Sequence, residues 1–121
     1  MRNPNAFAAA CPSREVLARL GAKWASLIIN KLNEGPVRFT DLLEQVEGIS
    51  KKMLTQTLRD LERDGFVTRH LDASRMPVQV DYALTGLGRS AVPIVMTAKE
   101  WAEANFESVL EARQRYDSRK N

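Results

Sequence analysis

The spacing of hydrophobic and polar positions predicts four helices in the first half of the chain. Apolar residues recur three and four positions apart in segments 13–20, 23–34, 40–47 and 51–64. A serine hydroxyl can cap the first of these at Ser13 and the fourth at Ser50. Glycine follows each of the first three, at Gly21, Gly35 and Gly48, and favours helix termination. We therefore expect four short helices.

The spacing of apolar residues changes from a helical pattern to a strand pattern near residue 66. Residues 66–71 are rich in strand-forming side chains, and alternate residues of 78–85 share one face: Val78, Val80, Tyr82 and Leu84. The polar stretch DASRMP between them predicts a hairpin tip. Thr85 can cap a last helix that passes through Pro93 and reaches about Arg115. About 22 residues at ~1.5 Å each span roughly 33 Å, longer than this domain needs for its own core.

The order of these elements is typical of a winged helix-turn-helix. Residues 37–39 add a short extended piece between the second and third helices, and the VEGIS turn contains the glycine that such a motif favours. The predicted fold class is α+β, mainly α, with a two-stranded wing and a long C-terminal dimerisation helix. The predicted boundaries are a flexible N-terminal arm at 1–11, a winged helix-turn-helix domain at 12–92, the dimerisation helix at 93–115 and a frayed tail at 116–121.

The composition excludes several classes of functional site, whereas the net charge does not by itself indicate a function. The chain has 121 residues, enough for one domain, and a net charge of +3 that is too small to indicate nucleic-acid binding by itself. Cys11 is the only cysteine and His70 the only histidine, so we expect no internal disulfide and no zinc centre built from Cys and His. Neither a nucleophile–base pair nor a glycine-rich phosphate loop is apparent. We predict a cytoplasmic protein that is not an enzyme, needs no cofactor and does not span a membrane.

The fourth helix has the polar chemistry that DNA reading requires. Its narrow apolar face lies opposite Lys52, Gln56 and Arg59. In a helix-turn-helix the second helix enters the major groove, where Arg can bind guanine, Gln can bind adenine and Lys can neutralise phosphate. The predicted DNA contacts are Ser50, Lys51, Lys52, Thr55, Gln56 and Arg59, with Arg75 from the hairpin tip.

Two other interpretations of this face remain open. It can be an ordinary solvated surface, because Asp60, Glu62 and Asp64 nearly cancel its positive charges. It can also serve a winged helix that contacts a protein partner instead of DNA. The half of the helix from Ser50 to Arg59 contains no acid, which favours DNA.

Three segments resemble a known family. CPSREVLARLGAKWASLIINKLNEGPVRFTDL, GISKKMLTQTLRDLERDGFVTR and VDYALTGLGRS are similar to the HxlR family of bacterial transcriptional regulators, which is related to the MarR group. The resemblance runs from about Cys11 to Trp101. It implies a DNA-binding homodimer, usually a repressor, whose first and last helices form the dimer interface.

The apolar positions of the first and last helices supply the candidate interface: Val16, Leu20, Val95, Ala98, Trp101, Ala102 and Val109. Two-fold symmetry would place half-sites of a palindromic operator about one DNA turn, roughly 34 Å, apart. The alternative is that Trp101 only covers the core of its own chain.

Cys11 and the aromatic residues suggest two forms of regulation. Cys11 precedes the first helix, where the helix dipole and Arg14 would favour the thiolate, and some members of the resembled family sense oxidants or electrophiles through a cysteine there. The alternative is a small buried apolar residue. A small-molecule effector could bind in a cavity between the dimer helices and the winged domain, lined by Trp24, Phe39 or Trp101, although aromatic residues at helical spacing are more often core.

Overall fold

The structure of the protein is a computed structural model that describes residues 3–119. Its elements follow the predicted order of a winged helix-turn-helix: α1 Ser13–Gly21, α2 Lys23–Leu32, β1 Val37–Arg38, α3 Phe39–Gln45, α4 Lys51–Arg63, β2 Val67–Asp72, β3 Gln79–Leu84 and α5 Gly86–Arg119. The predicted arm and tail each extend two residues beyond this range, at 1–2 and 120–121.

The hydrophobic core lies between α2, α3, α4, the sheet and the first turns of α5. Ile28 and Ile29 of α2, Leu42 of α3 and Leu54 of α4 are fully buried in it. The apolar face predicted for α4 is confirmed, since Leu54, Leu58 and Leu61 are all at most 1% exposed. Burial of one face holds α4 firmly and leaves its opposite face in solvent.

Helix α1 differs from its prediction at both its start and its apolar face. Pro12 occupies the cap position with no side-chain cap hydrogen bond, and Ser13 is instead the first helical residue. Its apolar spacing indicated a buried face, but Val16 and Leu17 are 49% and 63% exposed, so that face is largely open in the single chain. Amphipathic spacing identifies an apolar face but not the surface that covers it.

The turn between α3 and α4 has the geometry predicted for a helix-turn-helix. Gly48 adopts a φ of 91°, which an L side chain rarely adopts. Ile49 packs into the core, and the Ser50 hydroxyl then accepts a hydrogen bond from the Met53 backbone N–H at 3.0 Å. The predicted Ser50 cap is therefore confirmed, and it fixes where α4 begins.

The wing is part of a three-stranded sheet with the order β1-β3-β2, one strand more than the predicted hairpin. Val37 pairs with Tyr82 and Arg38 with Asp81, so the short extended piece after α2 joins the edge of β3. Of the predicted alternating face, Tyr82 and Leu84 are buried in β3, but Val78 precedes the strand and is 50% exposed. The sheet thus ties the wing to the helices at one end only.

Helix α5 is longer than predicted and is continuous across the boundary placed at residue 93. The Thr85 hydroxyl accepts a hydrogen bond from the Gly88 N–H at 3.0 Å, which confirms Thr85 as the cap, and the helix runs 34 residues to Arg119. Its length is about 51 Å at ~1.5 Å per residue. Pro93 is solvent-exposed, and within the helix it removes one N–H donor. Residues 116–119 of the predicted tail are therefore helical.

No helix within residues 3–119 combines the length and the apolar character needed to cross a bilayer.

Candidate nucleic-acid interface on the helix-turn-helix

Five of the predicted DNA contacts line one shallow hollow on the exposed face of α4: Lys51, Lys52, Thr55, Gln56 and Arg59. Lys52, Gln56 and Arg59 are spaced three and four residues apart and lie on the side of the helix opposite the buried leucines, while Lys51 and Thr55 lie toward the rim of that side. The lining contributes three positive charges and no carboxylate. A hollow of this composition is complementary to an anionic backbone.

The acids of the C-terminal half of α4 are paired with α1. The Arg19 guanidinium donates to Asp64 Oδ2 through Nε at 2.7 Å and to Asp60 Oδ2 through Nη1 at 3.3 Å. The hydrogen bond to Asp64 raises the pKa of Arg19 above its usual value, so this side chain stays charged. Two of the three acids that would have offset the charge of α4 therefore share one positive charge from another helix.

Two polar side chains of the hollow already have partners. Gln56 Nε2 donates to Asp60 Oδ1 at 3.1 Å, which leaves the amide oxygen and the second N–H for other contacts. The Thr55 hydroxyl donates to the Lys51 carbonyl at 2.9 Å, one turn earlier in the same helix. Gln56 is thus pre-oriented, while Thr55 has a helical hydrogen bond of its own.

Arg75 lies at the tip of the wing and is 55% exposed at its side chain. Its Nε is 3.5 Å from Asp72 Oδ2. Hydrogen bonds from the Ser74 side chain and backbone lower the pKa of Asp72, and Arg75 and His70 act in the same direction. Asp72 consequently stays ionised and holds the wing tip in a compact turn, with Arg75 reaching outward.

Cys11 lies in a turn before α1 rather than in an extended arm. The Asn5 backbone N–H donates to Cys11 Sγ at 3.4 Å, and Ser13 Oγ is 3.1 Å from the same sulfur. The bond from Asn5, followed by those from the Ser13 side chain and backbone, lowers the pKa of the Cys11 thiol. Arg14 was predicted to favour the thiolate directly, but its guanidinium donates to the carbonyls of Ala6 and Phe7 at 3.1 and 2.7 Å. Hydrogen bonds, rather than that cation, therefore account for the shift.

Replacing Ser13 with alanine is expected to raise the pKa of Cys11, because it removes the second-largest cause of the shift. The pH dependence of iodoacetamide alkylation of Cys11 measures this pKa, since the thiolate is the reactive form. We expect the midpoint to move to higher pH in Ser13→Ala. Ser90→Ala, which removes an exposed hydroxyl of α5, serves as the control and should leave the midpoint in place. An unchanged midpoint in Ser13→Ala would contradict the role given to this hydroxyl.

The apolar stripe of α5 is exposed, but it does not include Val95, which was predicted to belong to it. Val95 is only 1% exposed because it faces α2, and its carbonyl accepts from Asn30 Nδ2 at 3.3 Å. It therefore belongs to the core of its own chain and is not available to a partner. Its neighbour Ile94 is 59% exposed, in line with Trp101 at 61%. The exposure of Trp101 also contradicts the alternative that it covers its own core.

The remaining predicted interface residues lie on or near this surface. Ala98 and Ala102 are exposed and Val109 is half-buried on α5, while Val16 is exposed and Leu20 packs partly against the core from α1. Helices α1 and α5 contact each other. Their exposed apolar residues therefore belong to neighbouring parts of the molecule.

Within the single chain, Trp24, Phe39 and Trp101 do not line a common cavity. Trp24 and Phe39 pack against the core, and Trp101 lies on the surface. An open groove of about 620 Å³ lies between α2, the end of α3 and α5, and none of these three aromatics lines it. In the single chain, Trp24 and Phe39 are therefore packing residues and Trp101 is a surface residue.

Arg19 is the residue of this site that the sequence did not reveal. Its partners are 41 and 45 residues away in the chain. The one available signal was an arginine in α1 together with two acids spaced one turn apart at the end of α4. That signal does not identify which cation meets which acid.

A model of the HxlR-like helix-turn-helix family matches residues 19–109 of the chain. The chain belongs to the HxlR family. An HTH-type transcriptional regulator of this kind, YtfH from Escherichia coli (strain K12), is 42% identical over 113 residues, covering 93% of this chain and 89% of that protein.

Solved structures agree with the HxlR assignment. The transcriptional regulator YtfH from Salmonella typhimurium matches with a TM-score of 0.86 and 41% identity, covering 93% of this chain and 99% of the other. The redox regulator HypR in its oxidised form matches with a TM-score of 0.71 and 38% identity, covering 78% of this chain and 97% of the other. This HxlR chain therefore belongs to a group of transcriptional regulators.

Proposed function

We propose that the protein is a homodimeric transcriptional repressor that reads a palindromic DNA operator with the N-terminal half of α4. The observation that carries this proposal is the hollow on α4, whose lining has three cations and no acid. The Ser50 cap fixes the start of this helix. The compensation of Asp60 and Asp64 by Arg19 leaves the hollow as a positive surface. Such a surface suits phosphate contacts on both sides of a major groove.

Roles within the hollow follow from side-chain chemistry. Arg59 can donate two hydrogen bonds to the O6 and N7 atoms of guanine, and Gln56 can pair with adenine. Lys51 and Lys52 are exposed near the start of α4 and suit phosphates, while Ser50 and Thr55 lie at the rim of the same surface. Arg75 would contact the backbone or a minor groove from the wing. A protein partner for this face is disfavoured because the hollow contains no exposed apolar anchor.

A homodimer is supported by the exposed apolar surface of α1 and α5. Ile94 and Trp101 lie on α5 and Leu17 on α1, and each is more than half exposed. Monomeric proteins rarely expose contiguous apolar surface of this kind. A second copy related by a two-fold axis would cover it and would place two α4 helices on successive major grooves.

Oxidation of Cys11, or its reaction with an electrophile, would regulate DNA binding by this protein. Its lowered pKa and partial exposure are the properties of a reactive thiol. A two-electron oxidant such as diamide would convert two Cys11 thiols into an intersubunit disulfide and would itself take up the two hydrogens. HypR, a structural relative, is named a redox regulator. Operator affinity that is unchanged by diamide treatment would remove this part of the proposal.

The test of DNA reading uses a duplex selected by the wild-type chain from a randomised pool. Lys52→Ala is expected to flatten the slope of log affinity against log salt concentration by about 0.9, because one phosphate contact is lost. Lys99→Ala on α5 removes the same charge from an exposed ion pair with Glu103 and should leave the slope unchanged. Failure to select any duplex, or an unchanged slope in Lys52→Ala, would contradict the proposal.

A further inference from the structure

Arg19 connects the first helix to the helix proposed to read DNA. Its fork joins Asp64 at 2.7 Å and Asp60 at 3.3 Å, and the side chains of all three residues are 29–30% exposed. Asp60 and Asp64 lie one turn apart on α4. A single guanidinium therefore spans two carboxylates that border the reading face.

Asp60 also contacts Gln56, which lines the hollow. While Asp60 Oδ2 accepts from Arg19, its other oxygen Oδ1 accepts from Gln56 Nε2 at 3.1 Å. The order of contacts is Arg19, Asp60, Gln56, from α1 to the hollow lining. One carboxylate thus holds the Gln56 amide while being held in turn by α1.

We propose that Arg19 is a positioning residue for DNA reading: it offsets part of the negative charge of the acids that border the α4 hollow and, through Asp60, sets the orientation of Gln56. This inference rests on the proposed function, because it assigns a role to a residue that need not touch DNA. Arg19 itself does not line the hollow.

The physical reason has two parts. Without Arg19, Asp60 and Asp64 carry two uncompensated negative charges beside a surface that must approach phosphates, and this repulsion opposes binding. Asp60 would also be free to turn away from Gln56. Gln56 would then lose a fixed partner, and its preference for one base pair would weaken. Affinity and base preference should both change.

The test compares Arg19→Ala with Lys99→Ala, which breaks a different exposed ion pair at 3.0 Å. On a duplex selected by the wild-type chain, Arg19→Ala is expected to bind about tenfold more weakly, which corresponds to ~1.4 kcal/mol. Its discrimination at the base pair affected by Gln56→Ala should also decrease. Because exposed ion pairs contribute little to stability, its Tm should stay within about 3 °C of wild type. Lys99→Ala should bind as wild type.

Neutralising the acids separates charge compensation from a general structural role. Adding Asp60→Asn and Asp64→Asn to Arg19→Ala removes the repulsion, and the amide oxygen introduced by Asp60→Asn can still accept from Gln56. Binding should therefore recover to within about threefold of wild type. If Arg19→Ala fails to fold, Arg19→Lys keeps the charge but not the fork, and it should lose base discrimination more than affinity.

The outcomes distinguish this inference from the proposed function. Normal binding by Arg19→Ala alongside weakened binding by Lys52→Ala would overturn the positioning role alone. Weak binding that the two asparagines do not restore would also overturn it, since the defect would then be structural. Normal binding by both variants would contradict the proposed function itself.

Discussion

Replacing Gly88 with alanine is expected to lower the free energy of unfolding by about 2–3 kcal/mol, because the added methyl group would overlap the backbone. A Cβ at this position would lie 2.2 Å from the Phe66 carbonyl oxygen and 3.1 Å from a methyl of Leu84. The carbonyl also accepts from the Thr85 N–H at 3.0 Å and cannot shift alone. The first turn of α5 must therefore separate from the start of β2.

Urea unfolding followed by circular dichroism measures this effect, with Gly86→Ala as the matched control. Gly86 lies in the same helical turn, and a Cβ there meets nothing within 4 Å. We expect Gly86→Ala to change stability by less than about 1 kcal/mol, with a gain from the reduced freedom of the unfolded chain. Equal stability of the two variants would show that α5 is not seated on Phe66 as described.

Trp101→Asp is expected to dissociate the proposed homodimer. A tryptophan at the centre of an interface commonly contributes ~2–4 kcal/mol to the free energy of binding. Losing that contribution raises the dissociation constant by about 30- to 1000-fold. Trp101 is 61% exposed in the single chain and packs against none of the core, so the substitution should leave the monomer folded. Operator affinity should fall when the dimer dissociates, because each monomer then binds only one half-site.

Sedimentation equilibrium across a range of concentrations measures the dissociation constant. Gln114→Asp is the control, since it introduces the same charge at an exposed position of α5 on the side away from Ile94 and Trp101. It should sediment as wild type. A wild-type chain that is monomeric at micromolar concentration would contradict the dimer, as would a dimer that survives Trp101→Asp.

Local features of the fold were predictable because local chemistry determines them. The Ser50 cap and the buried face of α4 follow from a hydroxyl at a helix start and from leucines spaced by three and four residues. The same spacing placed Lys52, Gln56 and Arg59 on one surface. The Thr85 cap was predictable for the same reason.

Features that depend on distant parts of the chain were not predictable from these patterns. The pairing of Val37 with Tyr82 adds the third strand, and two residues carry too little pattern to indicate it. A helical wheel placed Val95 in the dimer stripe, but contact with α2 assigns it to the core and leaves Ile94 outside. The spacing of apolar residues gives the direction of the buried face of a helix only approximately. Which of two adjacent residues is covered depends on the tertiary packing.

The most direct test of major-groove reading by α4 is methylation protection of the selected duplex by the wild-type chain. Dimethyl sulfate methylates guanine N7, an atom that lies in the major groove and is a target proposed for Arg59. We expect protection of guanine N7 in two patches separated by about one helical turn, roughly 34 Å. Saturating binding with every guanine N7 still reactive, or with a single protected patch, would contradict reading by two α4 helices.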